Sequence, residues 1–349
     1  MKKYFNKFIS LSVLVIVLLS ACNLGVTPPS DEEVVSDSPV ELSTALPPTE
    51  SVQHVMIPGE LPTNKSGILG DHDSSTTSNE NRAPSGDRFT FGRYERPFNS
   101  EAMDIYFPYL DIQLAEFAID DTWMYATITV KGDELSSQSL VGKYGFEIDL
   151  SVNGGGDYLI MVLQPSSTEW TTNNVQVWFD ENDDVGGEVK VVADDVPTQG
   201  NGYETQIFGS GQEDDPDLAW ARISPTDPNS VQMAVKLSLL AGDTTFMVGM
   251  WAGTDDFDAA LFDINDAFTH EQAGSSLKEF EFFYPVKEVS ELDNTCRMAI
   301  GFQPTGNEPG GCPVPVPGDD VPPPPGQTCP PPSILYCTAN GCFCLYPQG

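Results

Sequence analysis

The chain has 349 residues, with 52 Asp and Glu against 16 Lys and Arg and a formal net charge of −36. A surface so negative repels nucleic acid and anionic lipid headgroups and attracts divalent cations, so nucleic-acid binding is excluded. The length is ample for one sizeable core with further segments on either side.

Residues 1–21 read as an export signal. Lys2, Lys3 and Lys7 form a basic start, and the apolar run ISLSVLVIVLLSA after them is short for a membrane span. The run ends in Leu19-Ser20-Ala21-Cys22, which resembles the lipobox of bacterial lipoproteins at every position. That resemblance implies cleavage before Cys22 and acylation of its sulfur. It places the protein in the cell envelope, lipid-anchored on the extracytoplasmic side of a bacterial membrane. Asn23 follows the cysteine, which would not retain the protein at the inner membrane of a two-membrane cell.

Residues 22–88 are rich in Ser, Thr, Pro and acids and show no hydrophobic period, which predicts a disordered tether. Such a tether spans roughly 40–50 Å. Residues 89–306 alternate apolar and polar positions. Asp111–Ile119 and Trp123–Val130 read as two strands about an Asp-Asp-Thr turn, the second with Met124, Ala126, Ile128 and Val130 on one face. Tyr144, Phe146, Ile148 and Leu150 share a face of the next strand. Residues 157–163, DYLIMVL, are apolar on both faces and read as a central buried strand. The triple glycine between them is a loop in which positive φ is free. VQVWF (175–179), EVKVVAD (188–194), YETQIFGS (203–210), SVQMAVKLSLL (230–240), TFMVGMWA (245–252) and KEFEFFYPV (278–286) continue the series, and LFDINDAFTHEQAG (261–274) fits one short helix. Many short strands with Gly and Asp turns predict an all-β antiparallel sandwich, jelly-roll or Ig-like.

The order DTWMYATITVKG, YGFEIDLSVNGGGDYLI, VQMAVKLSLL resembles the strand order of DOMON-type and family 9 carbohydrate-binding β-sandwich domains. Here Gln232 stands where those domains often carry Glu, and Lys236 where they often carry Pro. The resemblance implies a sandwich that binds a sugar, haem or another small ligand. Haem is disfavoured, because His270 is the one histidine between residues 89 and 306.

Two acidic loops are candidate Ca²⁺ sites. Asp180, Asn182 and Asp184 stand at i, i+2 and i+4, and alternate oxygens in a tight loop can converge on an ion that takes six to eight oxygen ligands. The EF-hand pattern then fails, with Val185 in place of its glycine and Val191 in place of its bidentate acid; Glu188 is a substitute ligand. Asp149, Asn153 and Asp157 flank the triple glycine and form the second set. The competing explanation of both is a polar turn whose side chains bond local amides. A third acidic cluster runs from Asp255 to Asp266.

Trp178 shares a strand face with Gln176 and Asp180, and Trp123 and Tyr125 share theirs with Thr127 and Thr129. An aromatic ring on a polar face is a stacking platform for a sugar, unless a sheet or loop covers it. Catalytic motifs are lacking: no GxSxG, HExxH or P-loop occurs, and His54 and His72 fall in the tether. A glycosidase needs only two placed carboxylates, and this chain offers too many to single out a pair.

Residues 307–349 form a Pro-rich linker and a Cys-rich tail. Cys296, Cys312, Cys329, Cys337, Cys342 and Cys344 remain beside Cys22; their even number and exported setting favour disulfides over a zinc knuckle, in an order that sequence does not fix. The expectation is a lipid-anchored binding module for carbohydrate or another surface polymer, stabilised by Ca²⁺. The alternatives are an adhesive envelope protein with a protein partner and a polysaccharide hydrolase.

Overall fold

The computed structural model describes residues 53–71, 73–80, 97–99, 104–132, 140–185, 202–254, 257–260, 291–312, 314, 334–338 and 341–345. The export signal, Cys22, Glu188, His270, the expected strands at 188–194 and 278–286, and the expected helix at 261–274 lie outside them.

The described residues form two antiparallel sheets packed face to face, the β-sandwich that the alternation predicts. The first sheet contains β1 (Gly67–Gly70), β2 (Ile112–Ile119), β3 (Trp123–Val130), β8 (Ala219–Ser224), β9 (Asp227–Lys236), β13 (Ile334–Thr338) and β14 (Gly341–Leu345), in the order β13-β14-β1-β2-β3-β9-β8. The second contains β4 (Lys143–Asp149), β5 (Tyr158–Leu163), β6 (Val175–Phe179), β7 (Thr205–Gly209), β10 (Phe246–Gly253), β11 (Leu292–Asn294) and β12 (Met298–Ile300). Its order is β11-β10-β4-β5-β6-β7, with β12 also paired to β10.

The alternation puts one set of side chains between the sheets. Met124, Ala126, Ile128 and Val130 of β3 meet Tyr144, Phe146 and Ile148 of β4, with Phe117, Val231, Met233, Phe246 and Val248 in the same core. β5 is interior to its sheet and buried through its middle, because its outward residues Leu159 and Met161 lie under a second apolar layer with Tyr203, Trp251 and Phe257. That layer is why the strand is apolar on both faces.

Both boundaries of the sandwich move outward. Residues 53–71 and 73–80, expected within the disordered tether, lie on the domain: β1 pairs with β2, Leu69 enters the core, and the Ser74 amide donates to Asp111. The run Ser-Gly-Ile-Leu-Gly is too short and too Gly-rich to announce a strand; pairing on both sides, with β2 and β14, holds it. At the other end, Cys296 and Cys312 form a disulfide, and the hairpin β13–β14 extends the first sheet next to β1. The division at residue 306/307 therefore cuts through one structural unit. In the β13–β14 hairpin, Cys337 stands opposite Cys342, and Leu335 opposite Cys344.

Candidate functional site

Each sheet has an outer face, and the sequence-predicted aromatics divide between them. Trp178 of β6 lies on the outer face of the second sheet, flanked by Leu159 of β5 and Gln206 of β7. It is half-buried. It packs against the outer apolar cluster that includes Leu159, Met161 and Val185, and its indole N–H donates to Gln176 Oε1 at 3.0 Å. The β6–β7 register shifts between Val177 and Trp178, leaving Ile207 as the extra residue opposite. Bulges of this kind re-aim a side chain out of the plain pleat. Gln206 is exposed beside the ring, and Glu204 lies on the same face of the chain by alternation. Glu204 Oε2 accepts from the amide of Glu181 at 2.9 Å. The ring thus has the Gln176 amide bonded to its N–H and Gln206, whose own amide donates to the Phe208 carbonyl at 3.2 Å, opposite it in the register.

Trp123 and Tyr125 do not present their rings to solvent: they are 5% and 1% exposed. They sit on the outer face of the first sheet with Ala118, Trp220 and Ala234, beneath Leu61 and Trp170. The cover is the segment Gln53–Lys65, which crosses this face before entering β1. At one end His54 Nδ1 meets Asp217 Oδ1 at 2.7 Å, and Asp217 Oδ2 accepts from the amides of Val55 and Met56 at 2.8 Å each. The His54 ring lies edge-on to Trp220, with centroids 4.8 Å apart. Midway, Trp170 Nε1 donates to the carbonyl of Gly59 at 3.1 Å. At the far end Lys65 approaches Glu116 at 3.6 Å, and Ser66 donates its amide to Phe117. The polar tips of the floor are met within it: Tyr125 donates to Asp120 at 2.9 Å and Trp220 to the Asp217 carbonyl at 3.3 Å. Arg222 stands 4.4 Å over the Trp170 ring. Burial alone would raise the Asp217 carboxyl, but the two amides and His54 hold it below its ordinary value. Composition placed His54 in the tether and so removed it from consideration. The available signal was local: HVMI-Pro-Gly-x-Leu is more apolar than its surroundings.

The acidic loops close on themselves. Asp180 accepts the amides of Asn182, Asp183 and Val185 at 3.2, 2.9 and 2.9 Å. Asp149 accepts those of Asn153 and Gly154 and the Ser151 hydroxyl at 3.3, 2.9 and 3.3 Å. Asp157 accepts from Leu150 at 2.6 Å. Burial nonetheless raises the Asp149, Asp157 and Asp180 carboxyls above their ordinary values. Asn182 and Asn153 are exposed and Asp184 is half-buried. Among the described residues no group of three or more His, Cys, Asp or Glu side chains is gathered to hold a metal ion. Within the triple glycine only Gly154 takes positive φ, at 89°. Gly156 is required for a different reason: a Cβ there would stand 1.9 Å from the Tyr203 hydroxyl and 2.6 Å from Glu147.

Glu147 is a residue sequence reasoning missed. It projects from β4 to the outer side of the second sheet and is 0% exposed. Arg297 Nε donates to Glu147 Oε1 at 2.6 Å, a second Arg297 N–H meets the same oxygen, and Tyr203 donates to Oε2 at 3.1 Å. The Arg297 backbone is fixed by bonds with Gly310 and Cys312, next to the Cys296–Cys312 disulfide. A lone Glu in a strand gives no sign of a partner 150 residues away.

Comparisons with protein-family models, with curated proteins and with solved structures give no match for this chain.

Proposed function

We propose that the protein is a lipid-anchored, extracytoplasmic binding module that takes carbohydrate or another surface polymer at Trp178. The observation that carries this reading is the Trp178 ring: half-exposed, at a register shift, packed on an apolar layer, with Gln176 bonded to its N–H and Gln206 opposite it in the register. A rigid ring offers an apolar face to the C–H side of a sugar, while amides and carboxylates at its rim bond hydroxyls. The lipobox-like Leu19–Cys22 and the resemblance to carbohydrate-binding sandwiches support the same reading. Calcium is not required by it, since Asp180 and Asp149 already accept from their own loops. A glycan array probed with wild type and Trp178→Ala tests the ligand class. Binding by wild type and loss in the variant is expected, and absence of binding by both removes the sugar claim. Cys22→Ala should shift the protein from the membrane to the soluble fraction.

A second reading is an adhesive envelope protein with a protein partner. β13 ends the strand order of its sheet among the described residues, and a strand edge is a template for adding a partner's strand. Deletion of residues 329–349, which removes β13 and β14 and keeps the Cys296–Cys312 disulfide, should then abolish association while sugar binding is absent.

A further inference from the structure

The register of the C-terminal hairpin selects among the cysteine pairings. β13 and β14 are joined across residues 339–340, and Cys337 stands directly opposite Cys342. Opposed residues of an antiparallel pair have Cα atoms about 4.5 or 5.5 Å apart, the longer distance where the two residues are hydrogen-bonded to each other. Both separations fall within the range of about 4.4–6.8 Å that a disulfide spans.

The other pairings fail on the same geometry. Cys342 and Cys344 lie two residues apart on one strand. A rise of about 3.3 Å per residue sets their Cβ positions roughly 6.6 Å apart, against about 3.8 Å in a disulfide. Cys337 and Cys344 are diagonal neighbours, with Cα atoms about 7–8 Å apart, out of reach of a bridge unless the backbone moves. Cys344 stands opposite Leu335 on one side and Gly70 on the other, so neither neighbouring strand sets a cysteine against it. Cys296 and Cys312 are already joined. Cys329 lies outside the described residues. Pairing it with Cys337 or with Cys342 would leave one of the two combinations just excluded.

The cysteines also occupy the face that packing does not explain. Leu69 of β1 enters the core, and Leu345 of β14 stands opposite it. By alternation Phe343 shares the face of Leu345, with Tyr336 and Ile334 opposite them. Cys337, Cys342 and Cys344 fall on the other face. A cysteine can serve as a small core residue, but these positions are not on the core side. β14 meets β1 over two register pairs, Leu69 with Leu345 and Gly70 with Cys344. A link between β13 and β14 lets that short contact hold both strands.

We propose that Cys337 and Cys342 form a cross-strand disulfide that staples the hairpin, leaving Cys329 as the cysteine available to Cys344. The bridge forms by exchange with a donor disulfide, such as oxidised glutathione. The Cys337 thiolate attacks one donor sulfur and releases the first donor thiolate. The Cys342 thiolate then attacks the Cys337 sulfur and releases the second. The pair loses two electrons and two protons, and the donor gains them as two thiols. The inference rests on strand register, and is independent of Trp178 and of the lipid anchor.

The test equilibrates the full wild-type chain in reduced and oxidised glutathione, blocks free thiols with iodoacetamide, and digests with chymotrypsin without reduction. Cleavage after Tyr336 and Phe343 yields the fragment Cys337–Phe343, which carries Cys337 and Cys342 and no other cysteine. Mass spectrometry should find this fragment alone, unlabelled, and two hydrogens lighter than its dithiol form. The Cys344→Ala chain should give the same fragment. Iodoacetamide or glutathione on either cysteine would overturn the proposal, as would a fragment joined to one that carries Cys329 or Cys344.

Discussion

Replacing Arg297 with Met should destabilise the protein in a way that depends on pH. The Glu147 carboxylate is fully buried, and Arg297 supplies its charge complement through two N–H donors. Removing one partner of a buried ion pair typically costs about 3–5 kcal/mol, because the other charge is left in a low dielectric. At ~2–4 °C per kcal/mol for a domain of this size, Tm should fall by roughly 6–20 °C. Without Arg297, burial raises the folded pKa of Glu147 above its unfolded value of ~4.3. The native state then binds more protons than the unfolded state, so stability falls as pH rises, and the deficit at pH 7 should shrink towards pH 5. Glu147→Met together with Arg297→Met removes both charges and should restore stability to within ~1–2 kcal/mol of wild type or above it. Thermal melts of the three proteins by circular dichroism at both pH values read the whole cycle. A single variant within ~1 °C of wild type, or a deficit independent of pH, would refute the reasoning.

The cover over the first sheet should loosen in acid. The Asp217 carboxyl is held below its ordinary value, so its contribution is complete above the unfolded value of 3.8 and is lost as pH falls through the folded value. Tryptophan emission should therefore shift to the red below that pH, ahead of the far-UV signal, and Asp217→Asn should abolish the early phase. Because Asp180 and Asp149 already accept from their own loops, millimolar Ca²⁺ should leave Tm within ~1 °C; a rise of several degrees, reversed by chelator, would place an ion at these turns. Opening the Cys296–Cys312 disulfide by Cys296→Ala and Cys312→Ala frees a loop of 16 residues and should cost about 3 kcal/mol in denaturant melts. An unchanged midpoint would show that bonds such as Arg297 to Gly310 hold this end alone.

The sandwich was legible wherever alternation was strong. β2 to β6, β9 and β10 fall where period-two patterning puts them, because one buried face demands it. β8 escaped: Ala219-Trp-Ala-Arg-Ile-Ser mixes small residues and an arginine, and it is defined by pairing with β9 and by the bridge from Thr171 to Ala221. β1 escaped because four residues rich in glycine carry no period. The facing of aromatics was only half legible. Alternation correctly put Trp123, Tyr125 and Trp178 on outer faces, but whether an outer face meets water depends on what crosses it. His54–Leu61 crosses the first sheet from a distant stretch whose average composition is that of a disordered chain. Glu147 and Arg297 could not be matched from sequence, since nothing local distinguishes a buried acid from an exposed one in a strand.

The central claim is that Trp178 carries binding. Its most direct test is the affinity of the full chain for isolated surface polysaccharide, measured for wild type, Trp178→Phe and Trp178→Ala at equal Tm. The account predicts that Phe retains most of the affinity and that Ala loses it about tenfold or more, as removal of a stacked ring should. Undiminished binding by Trp178→Ala would contradict it.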